Sequence, residues 1–171
     1  MPDGTAAVPV MDGSVLDIAA HLASCLAFYA HDLAAGPAEV SANDLVRRPG
    51  ADLATHAAGI AAWGEVLART LEGAGAGDRG WHSHGVADPA GFAAIGCAEL
   101  LVHGDDVATA LGLTWSPPVD VAAGVLARLF PDAPPAEDSL ATLRWATGRA
   151  DLPGRPRRTG WRYAMTPVVD R

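Results

Sequence analysis

The stretch of residues 90–111 gives the strongest indication of the fold and chemistry of this chain. Residues three and four apart share one face of a helix, and here that face is apolar but also carries carboxylates: Phe92, Ile95, Glu99, Val102 and Asp106. His103 follows Glu99 by four residues, so the two side chains project from adjacent turns, close enough to share a metal ion. Ionisable groups on a core-facing stripe are costly unless they are paired or metal-bound. The stretch predicts a metal site, a buried hydrogen-bond cluster, or a helix whose charged side faces solvent.

The rest of the chain predicts a mainly α-helical fold. Ser14 and Asp52 stand as N-caps before apolar periodic stretches, and Gly36-Pro37 ends the first of these. Besides 90–111, helices are predicted over about 14–35, 52–72, 119–129 and 138–147. Residues 155–165 have extended character, as in a hairpin or strap, whereas residues 1–12 are expected to be irregular. Wide apolar stripes on helices joined by loops are typical of a helical bundle.

Composition argues against several classes of function. The formal net charge is −8, and all twelve basic residues are arginines. Nucleic-acid binding needs many phosphate-neutralising cations, so an acidic body predicts no nucleic-acid partner. Because no apolar run reaches the roughly 18 residues of a membrane helix and no signal-peptide pattern is present, we expect a cytoplasmic protein with no membrane partner. Cys25 and Cys97 are then expected to be buried thiols.

The first helix offers a third ligand for the candidate metal site. His21 lies within its apolar stripe, whereas His31 is rotated by about 80° from His21 at 100° per residue. Metal sites in helical bundles are built from inward-facing side chains of neighbouring helices. A set of His21, Glu99 and His103 with one open position is typical of a catalytic zinc rather than a closed structural one.

Two segments carry a family resemblance: Asp17-Ile18-Ala19-Ala20-His21-Leu22, and Glu99-Leu100-Leu101-Val102-His103-Gly104-Asp105-Asp106-Val107-Ala108. They resemble the metal-binding helices of the mycothiol-dependent maleylpyruvate isomerase group, which belongs to the DinB-like superfamily of metal-dependent four-helix bundles. The resemblance covers residues 12–130 and continues in the tail from Leu143.

The resemblance implies a fold and a set of roles. Residues 1–136 would form a DinB-like bundle, with residues 137–171 as a helix and an Arg- and Trp-containing tail packed on it. His21, Glu99 and His103 would be the metal ligands. Asp106 would orient a ligand, since metal-bound imidazoles usually donate their other N–H to a carboxylate or carbonyl. Glu99 and Asp106 therefore also count as catalytic candidates.

The chain departs from that family at both ends. The family has a long helix before the first ligand helix, and only thirteen residues precede Ser14 here. The isomerase also has a separate C-terminal domain that helps to form its active site, so its specific reaction is not transferred. An uncovered apolar stripe on helix 14–35 is unusual for a soluble monomer. We therefore expect a homodimer, or a tail that folds back through Trp145, Trp161 and Tyr163.

The implied activity is that of a metal-dependent enzyme on a small-molecule substrate. Zinc and nickel both suit the ligand set. With mycothiol as cofactor, a metal-activated thiolate would support a thiol-dependent transferase or isomerase. The alternatives are metal-assisted cyclase, lyase or hydrolase chemistry without a thiol, and a non-catalytic ligand-binding bundle.

Further residues have two interpretations each. His82 and His84, on a Trp-containing loop, are candidates for acid–base work at the mouth of the site, or are solvated loop histidines. Arg157 and Arg158 either hold carboxylates of a cofactor or substrate, or pair with the acidic body. Tyr29 and His31 are pocket groups or lie on the helix surface.

Overall fold

Five helices and a short hairpin are found in the computed structural model, which describes residues 3–135 and 137–167. In chain order they are β1 (Ala7–Val8), β2 (Gly13–Ser14), α1 (Val15–Ala35), α2 (Leu53–Gly73), α3 (Pro89–Ala110), α4 (Val119–Leu129) and α5 (Ser139–Ala146). This confirms the mainly α-helical fold, with every predicted helix present within one or two residues at each end. The parts of the predicted segments at 1–2, 136 and 168–171 lie outside the described residues.

The N-terminal segment is more ordered than the sequence predicted. Residues 7–8 pair antiparallel with residues 13–14, and Asp12 turns the chain between them with φ 52°. Ser14 then caps α1 through a capping box with Asp17, in which each side chain accepts from the other's backbone N–H. Val8 is buried with Val15 and Ile18 in a small core of its own. The hairpin thus covers the first turn of α1.

Helices α1, α3 and α4 enclose the main core. α1 packs against α2 and α3, α4 packs on α3, and α5 packs on α4. The predicted apolar face of α3 is buried along its whole length, from Phe92 and Ile95 at 0% exposure to Asp106 at 5%. Two carboxylates and a histidine are therefore held inside the bundle.

Helix α2 lies at the edge of this arrangement. Its periodic apolar residues predicted a buried face, but Leu67 is its one buried residue. Trp63 and Val66, which belong to the same predicted face, are 37% and 42% exposed. The long connection before α2, residues 37–50, has no regular structure and is almost wholly exposed. This side of the molecule is the least tightly packed.

The C-terminal segment is anchored to the bundle by Arg128 of α4. Its guanidinium donates to the carbonyl oxygens of Ala164 (2.7 Å) and Met165 (2.9 Å), and to Asp88 Oδ1 (2.7 Å) at the N-cap of α3. Tyr163 and Met165 join the main core. Within residues 155–167 the chain forms no regular strand, and a single bridge pairs Leu152 with Arg155. The predicted strap exists as an irregular segment fixed by side chains.

Helix α1 is also long and apolar enough, by length and composition, to cross a membrane. Half of its most apolar window is buried inside the fold. Core helices of soluble proteins and N-terminal signal sequences have the same character, so this observation is weak support for a membrane segment.

Candidate metal centre

Three predicted ligands converge between α1 and α3. Suitable ligand atoms of His21, Glu99 and His103 all lie within 4.8 Å of one another. Glu99 Oε2 is 3.0 Å from His103 Nε2 and 3.8 Å from His21 Nε2, and the two imidazole rings stand nearly perpendicular. The convergence predicted from the sequence is therefore confirmed.

The two helices expose these ligands unequally. The side chains of Glu99 and His103 are 7% and 6% exposed, because α3 is the most deeply packed helix. The side chain of His21 is 47% exposed. The cluster is therefore closed on the α3 side and reachable from solvent past His21.

The two oxygens of Glu99 have separate partners. Oε2 faces the two histidines, whereas Oε1 accepts hydrogen bonds from the hydroxyls of Tyr29 (3.1 Å) and Tyr163 (3.4 Å). Burial raises the pKa of both tyrosines, so they remain neutral donors. The carboxylate is fixed by two phenols and presents one oxygen to the site.

His103 is held from its other side by a chain of charged groups. Its Nδ1 lies 3.0 Å from Asp106 Oδ2. Arg149, which follows α5, forms a forked contact with the same carboxylate, Nε to Oδ1 at 3.0 Å and Nη2 to Oδ2 at 2.8 Å. Because a carboxylate only accepts, Nδ1 donates to Asp106 and Nε2 donates to Glu99 in the metal-free protein, and the Nε2 proton must leave if Nε2 is to bind a metal. Asp106 thus occupies the orienting position that the resemblance implied.

Burial and charge pairing together determine the pKa shifts of the three candidate ligands. Burial opposes a charge on Glu99, but the hydrogen bond and charge of His103 outweigh it and lower the pKa of Glu99. Burial likewise opposes a charge on His103, and hydrogen bonds to Asp106 and Glu99 outweigh it and raise its pKa. Burial lowers the pKa of His21. Glu99 is ionised and His21 is neutral near pH 7, as metal ligands must be, whereas the raised pKa of His103 means that metal binding there has to displace a proton.

The donor set fits a zinc-type ion. Bonds of about 2.0–2.2 Å in a tetrahedral shell separate neighbouring ligand atoms by roughly 3.3 Å. The observed separations from Glu99 Oε2, 3.0 and 3.8 Å, bracket that value. Two imidazoles and one carboxylate leave a fourth position without a protein ligand in this set.

Cys25 lies next to the cluster. Its Sγ is 3.4 Å from His21 Nε2. Burial and the nearby Glu99 charge raise the pKa of this thiol to about 12, so it is protonated at neutral pH. Cys25 and Cys97 are both free and partly buried.

The loop with His82 and His84 folds over the same region. Residues 80 and 87 form a bridge that closes the loop. Gly80 permits its close approach to α1, since a Cβ there would lie 2.8 Å from the backbone oxygen of Asp32. The rings form a series of contacts from Tyr29 to His82 (5.8 Å), to His84 (5.1 Å) and on to Tyr163 (5.9 Å). Both histidines therefore pack beside the tyrosines that hold Glu99 and are only partly exposed.

The two tail arginines have different surroundings. Arg158 pairs with Asp132 (2.9 Å) and lies over the ring of Trp145. Arg158 therefore pairs with an acidic residue of the chain, which is one of the two interpretations that the sequence allowed. Arg157 is exposed, and its backbone N–H donates to Asp151.

A cavity of about 430 Å³ with a largely apolar lining lies elsewhere. It is formed by α1, α2 and the 37–50 connection and shares no residue with the three ligands. On α1 its lining residues Ala27, Ala30, His31 and Ala34 are rotated by about 80° or more from His21, whereas Phe28 is nearly in line with His21.

No family model, curated protein or solved structure matches this chain.

Sequence reasoning missed Arg149 and did not assign Tyr163 to the site. Both reach α3 from far along the chain, and neither lies in a local motif. The excess of arginine beyond residue 127 was the available signal for Arg149, because a buried acidic helix needs cations from somewhere.

Proposed function

We propose that this protein is a metal-dependent enzyme for a small-molecule substrate, with a DinB-like bundle and chemistry like that of thiol-dependent isomerases and transferases. The observation that carries this proposal is the convergence of His21, Glu99 and His103 with a position left open on the exposed His21 side. The sequence resemblance to the mycothiol-using group supports the same assignment. Zinc is the preferred ion, and nickel suits the same ligands.

The residues around the site hold its ligands in fixed orientations. Tyr29 and Tyr163 fix one oxygen of Glu99, and Asp106 fixes the tautomer of His103. When bound, a zinc ion supplies Lewis acidity and lowers the pKa of a thiol or water in the remaining position. Since His21 is the exposed ligand, substrate and thiol approach past it.

The attacking thiol is proposed to be external. Cys25, the thiol beside the site, has a pKa of about 12 and is protonated at neutral pH. A thiol cofactor such as mycothiol would supply the nucleophile instead. Its addition to an electron-poor double bond leaves a single bond that rotates, and its expulsion restores the double bond and regenerates the thiol. In a transferase the new carbon–sulfur bond is retained.

The loop histidines are the candidates for proton transfer. Burial lowers the pKa of His82 to about 4, so its ring is neutral near pH 7 and can accept a proton. His84 lies beside it, next to Tyr163. Arg157, exposed on the tail, remains the candidate for binding a carboxylate of the cofactor or substrate.

The test is turnover of electrophiles by zinc- or nickel-loaded protein with and without mycothiol. A panel of electron-poor alkenes, epoxides and alkyl halides is followed by loss of free thiol and by product mass. Thiol-dependent turnover that the Glu99→Gln variant lacks is the expected result. Turnover without thiol would replace this proposal with metal-assisted cyclase, lyase or hydrolase chemistry, and metal binding without turnover would favour a ligand-binding bundle.

A further inference from the structure

A second candidate site lies between α1, α2 and the 37–50 connection and shares no residue with the metal cluster. The cavity of about 430 Å³ between α1, α2 and the 37–50 connection is within the size range of small-molecule pockets. Its walls include the aromatic rings of Phe28 and Trp63 and the aliphatic side chains of Leu45 and Val66. A pocket with such walls selects for an apolar, ring-containing body.

The walls of this cavity remain partly open to solvent. Leu45 is 49% exposed, Val66 42% and Trp63 37%. Contiguous exposed apolar residues mark binding grooves more often than inert surface, because covering them is favourable. The 37–50 connection, which supplies one wall, is longer than most connections between helices, and long irregular loops often serve as lids over binding sites.

The cavity lining also has four polar residues, His31, Ser41, Asn43 and Thr70, and the hydrogen bonds of His31 define its character. His31 lines the cavity, and its Nδ1 lies 2.8 Å from Oδ1 of Asp32, which is only 7% exposed. The hydroxyl of Ser41 donates to the same oxygen (3.3 Å). A carboxylate only accepts, so the proton of the neutral imidazole sits on Nδ1. In this tautomer Nε2 of His31 is an acceptor, and a donor on the ligand can bind to it in place of solvent.

The charge near His31 narrows the ligand class. The buried Asp32 carboxylate disfavours an anionic head group, and the apolar walls disfavour burial of any full charge, so a neutral donor is favoured. We propose that this cavity binds a neutral aromatic alcohol of the phenol class, with two linked rings between Trp63 and Leu45 and a hydroxyl that donates to His31. This site is separate from the metal centre and functions without a metal.

The test follows binding at Trp63 by NMR of the full-length protein. Three biphenyl probes differ only in the head group: 4-phenylphenol, 4-methoxybiphenyl and biphenyl-4-carboxylate. The Trp63 indole N–H signal is assigned with Trp63→Phe. We expect 4-phenylphenol to shift it saturably and to bind at least tenfold more tightly than either other probe. Chelator and added zinc should leave that affinity unchanged.

Matched variants locate the probe. Ala34→Trp fills the cavity from α1 and should abolish binding, whereas Ala35→Trp places the same bulk on a neighbouring exposed residue and should not. His31→Leu should remove the preference for the hydroxyl over the methoxy probe. Folding of each variant is checked by its amide spectrum.

Three results would overturn the proposal. The first is the absence of a saturable shift at Trp63, and the second is equal binding of the three probes. The third is a Trp63 shift that depends on protein concentration without a probe, accompanied by dimer in light scattering. That last result would assign the cavity walls to a contact with a second copy of the chain.

Discussion

Helices α2 and α3 have nearly the same length, 21 and 22 residues, but opposite relations to the rest of the molecule. α3 buries twelve residues, three of them acidic and one a histidine, whereas α2 buries Leu67 alone. Every buried charge on α3 needs a partner, and these partners fix the position of the helix. α2 exposes apolar side chains that need no particular partner. The comparison separates a pre-organised polar site from an adaptable apolar surface.

The largest difference in the free energy of unfolding should appear when one Arg–carboxylate pair is broken at each helix, a buried pair at α3 and an exposed pair at α2. Arg149→Met leaves the buried Asp106 without its main cation and should lower the free energy of unfolding by about 3–5 kcal/mol. Arg69→Met breaks the exposed pair with Glu65 on α2 and should cost under about 1 kcal/mol. Urea unfolding of both variants measures this directly. Equal losses would show that the Arg149 contact is not the anchor described here.

Loss of the central carboxylate tests whether the buried cluster binds metal. Glu99→Gln keeps the size of the side chain but removes its charge, and should weaken zinc binding by more than about 100-fold, beyond the range for loss of an outer hydrogen-bond partner. Competition with a chromophoric chelator gives the affinity. The control is Glu65→Gln on exposed α2, for which zinc affinity should not change. Unchanged zinc affinity in Glu99→Gln would exclude this cluster as the metal site.

Within α2, one truncation should matter and its neighbour should not. Leu67 packs against Gly96 of α3. A Cβ added at Gly96 would lie 2.7 Å from Cδ2 of Leu67. Leu67→Ala should lower the free energy of unfolding by about 2 kcal/mol, near the lower end for buried leucines. Val66→Ala, on the exposed side, should change it by under about 0.5 kcal/mol. A large Val66→Ala effect in urea unfolding would mean that this surface is covered in solution.

The smallest effect concerns pH in the metal-free protein. The folded pKa of His82 is about 4, against 6.5 when unfolded, so the unfolded chain takes up its proton first and stability falls as pH drops below 6.5. The folded pKa of His103 is raised, so its contribution is full below pH 6.5 and is lost as pH rises through the folded value. Stability should peak near pH 6.5.

We expect a loss of order 1 kcal/mol between pH 6.5 and 4.5 from His82, because its ring is partly exposed and solvent screens part of the interaction. Thermal unfolding in the presence of a chelator measures the profile. His82→Asn should flatten the acid side alone. An acid side that is unchanged in this variant would assign it to other groups.

Local rules predicted most of the backbone and part of the site. The capping signals of Ser14 and Asp52 and the stop at Gly36 act within a few residues, and the structure shows α1 and α2 bounded by them. The spacing of Glu99 and His103 likewise fixed their common face before any tertiary structure was known. The partnership with His21 needed only that α1 and α3 pack along their apolar stripes.

What could not be predicted depends on contacts between distant segments. The Tyr163 hydroxyl reaches Glu99 across 64 residues, and it is brought there by contacts of the C-terminal segment with distant residues, among them Arg128, Leu129 and Phe130. The apolar periodicity of α2 predicted a buried face, but periodicity does not say how much of a helix finds a partner. His82 and His84 stand in a loop, where solvent exposure is usual, and Gly80 brings them onto α1.

The Arg149–Asp106 contact also has a consequence for the order of events during biosynthesis. Arg149 follows Asp106 by 43 residues, so α3 leaves the ribosome well before the cation that neutralises its carboxylate. Until the turn after α5 has folded back, burial of the Asp106 carboxylate costs free energy because its charge is unpaired. During that time His103 also lacks its fixed orientation. Under the proposed function, tight metal binding would therefore follow docking of the C-terminal segment. A chain truncated before Arg149 would then bind the metal weakly, and this property would distinguish it from the finished protein.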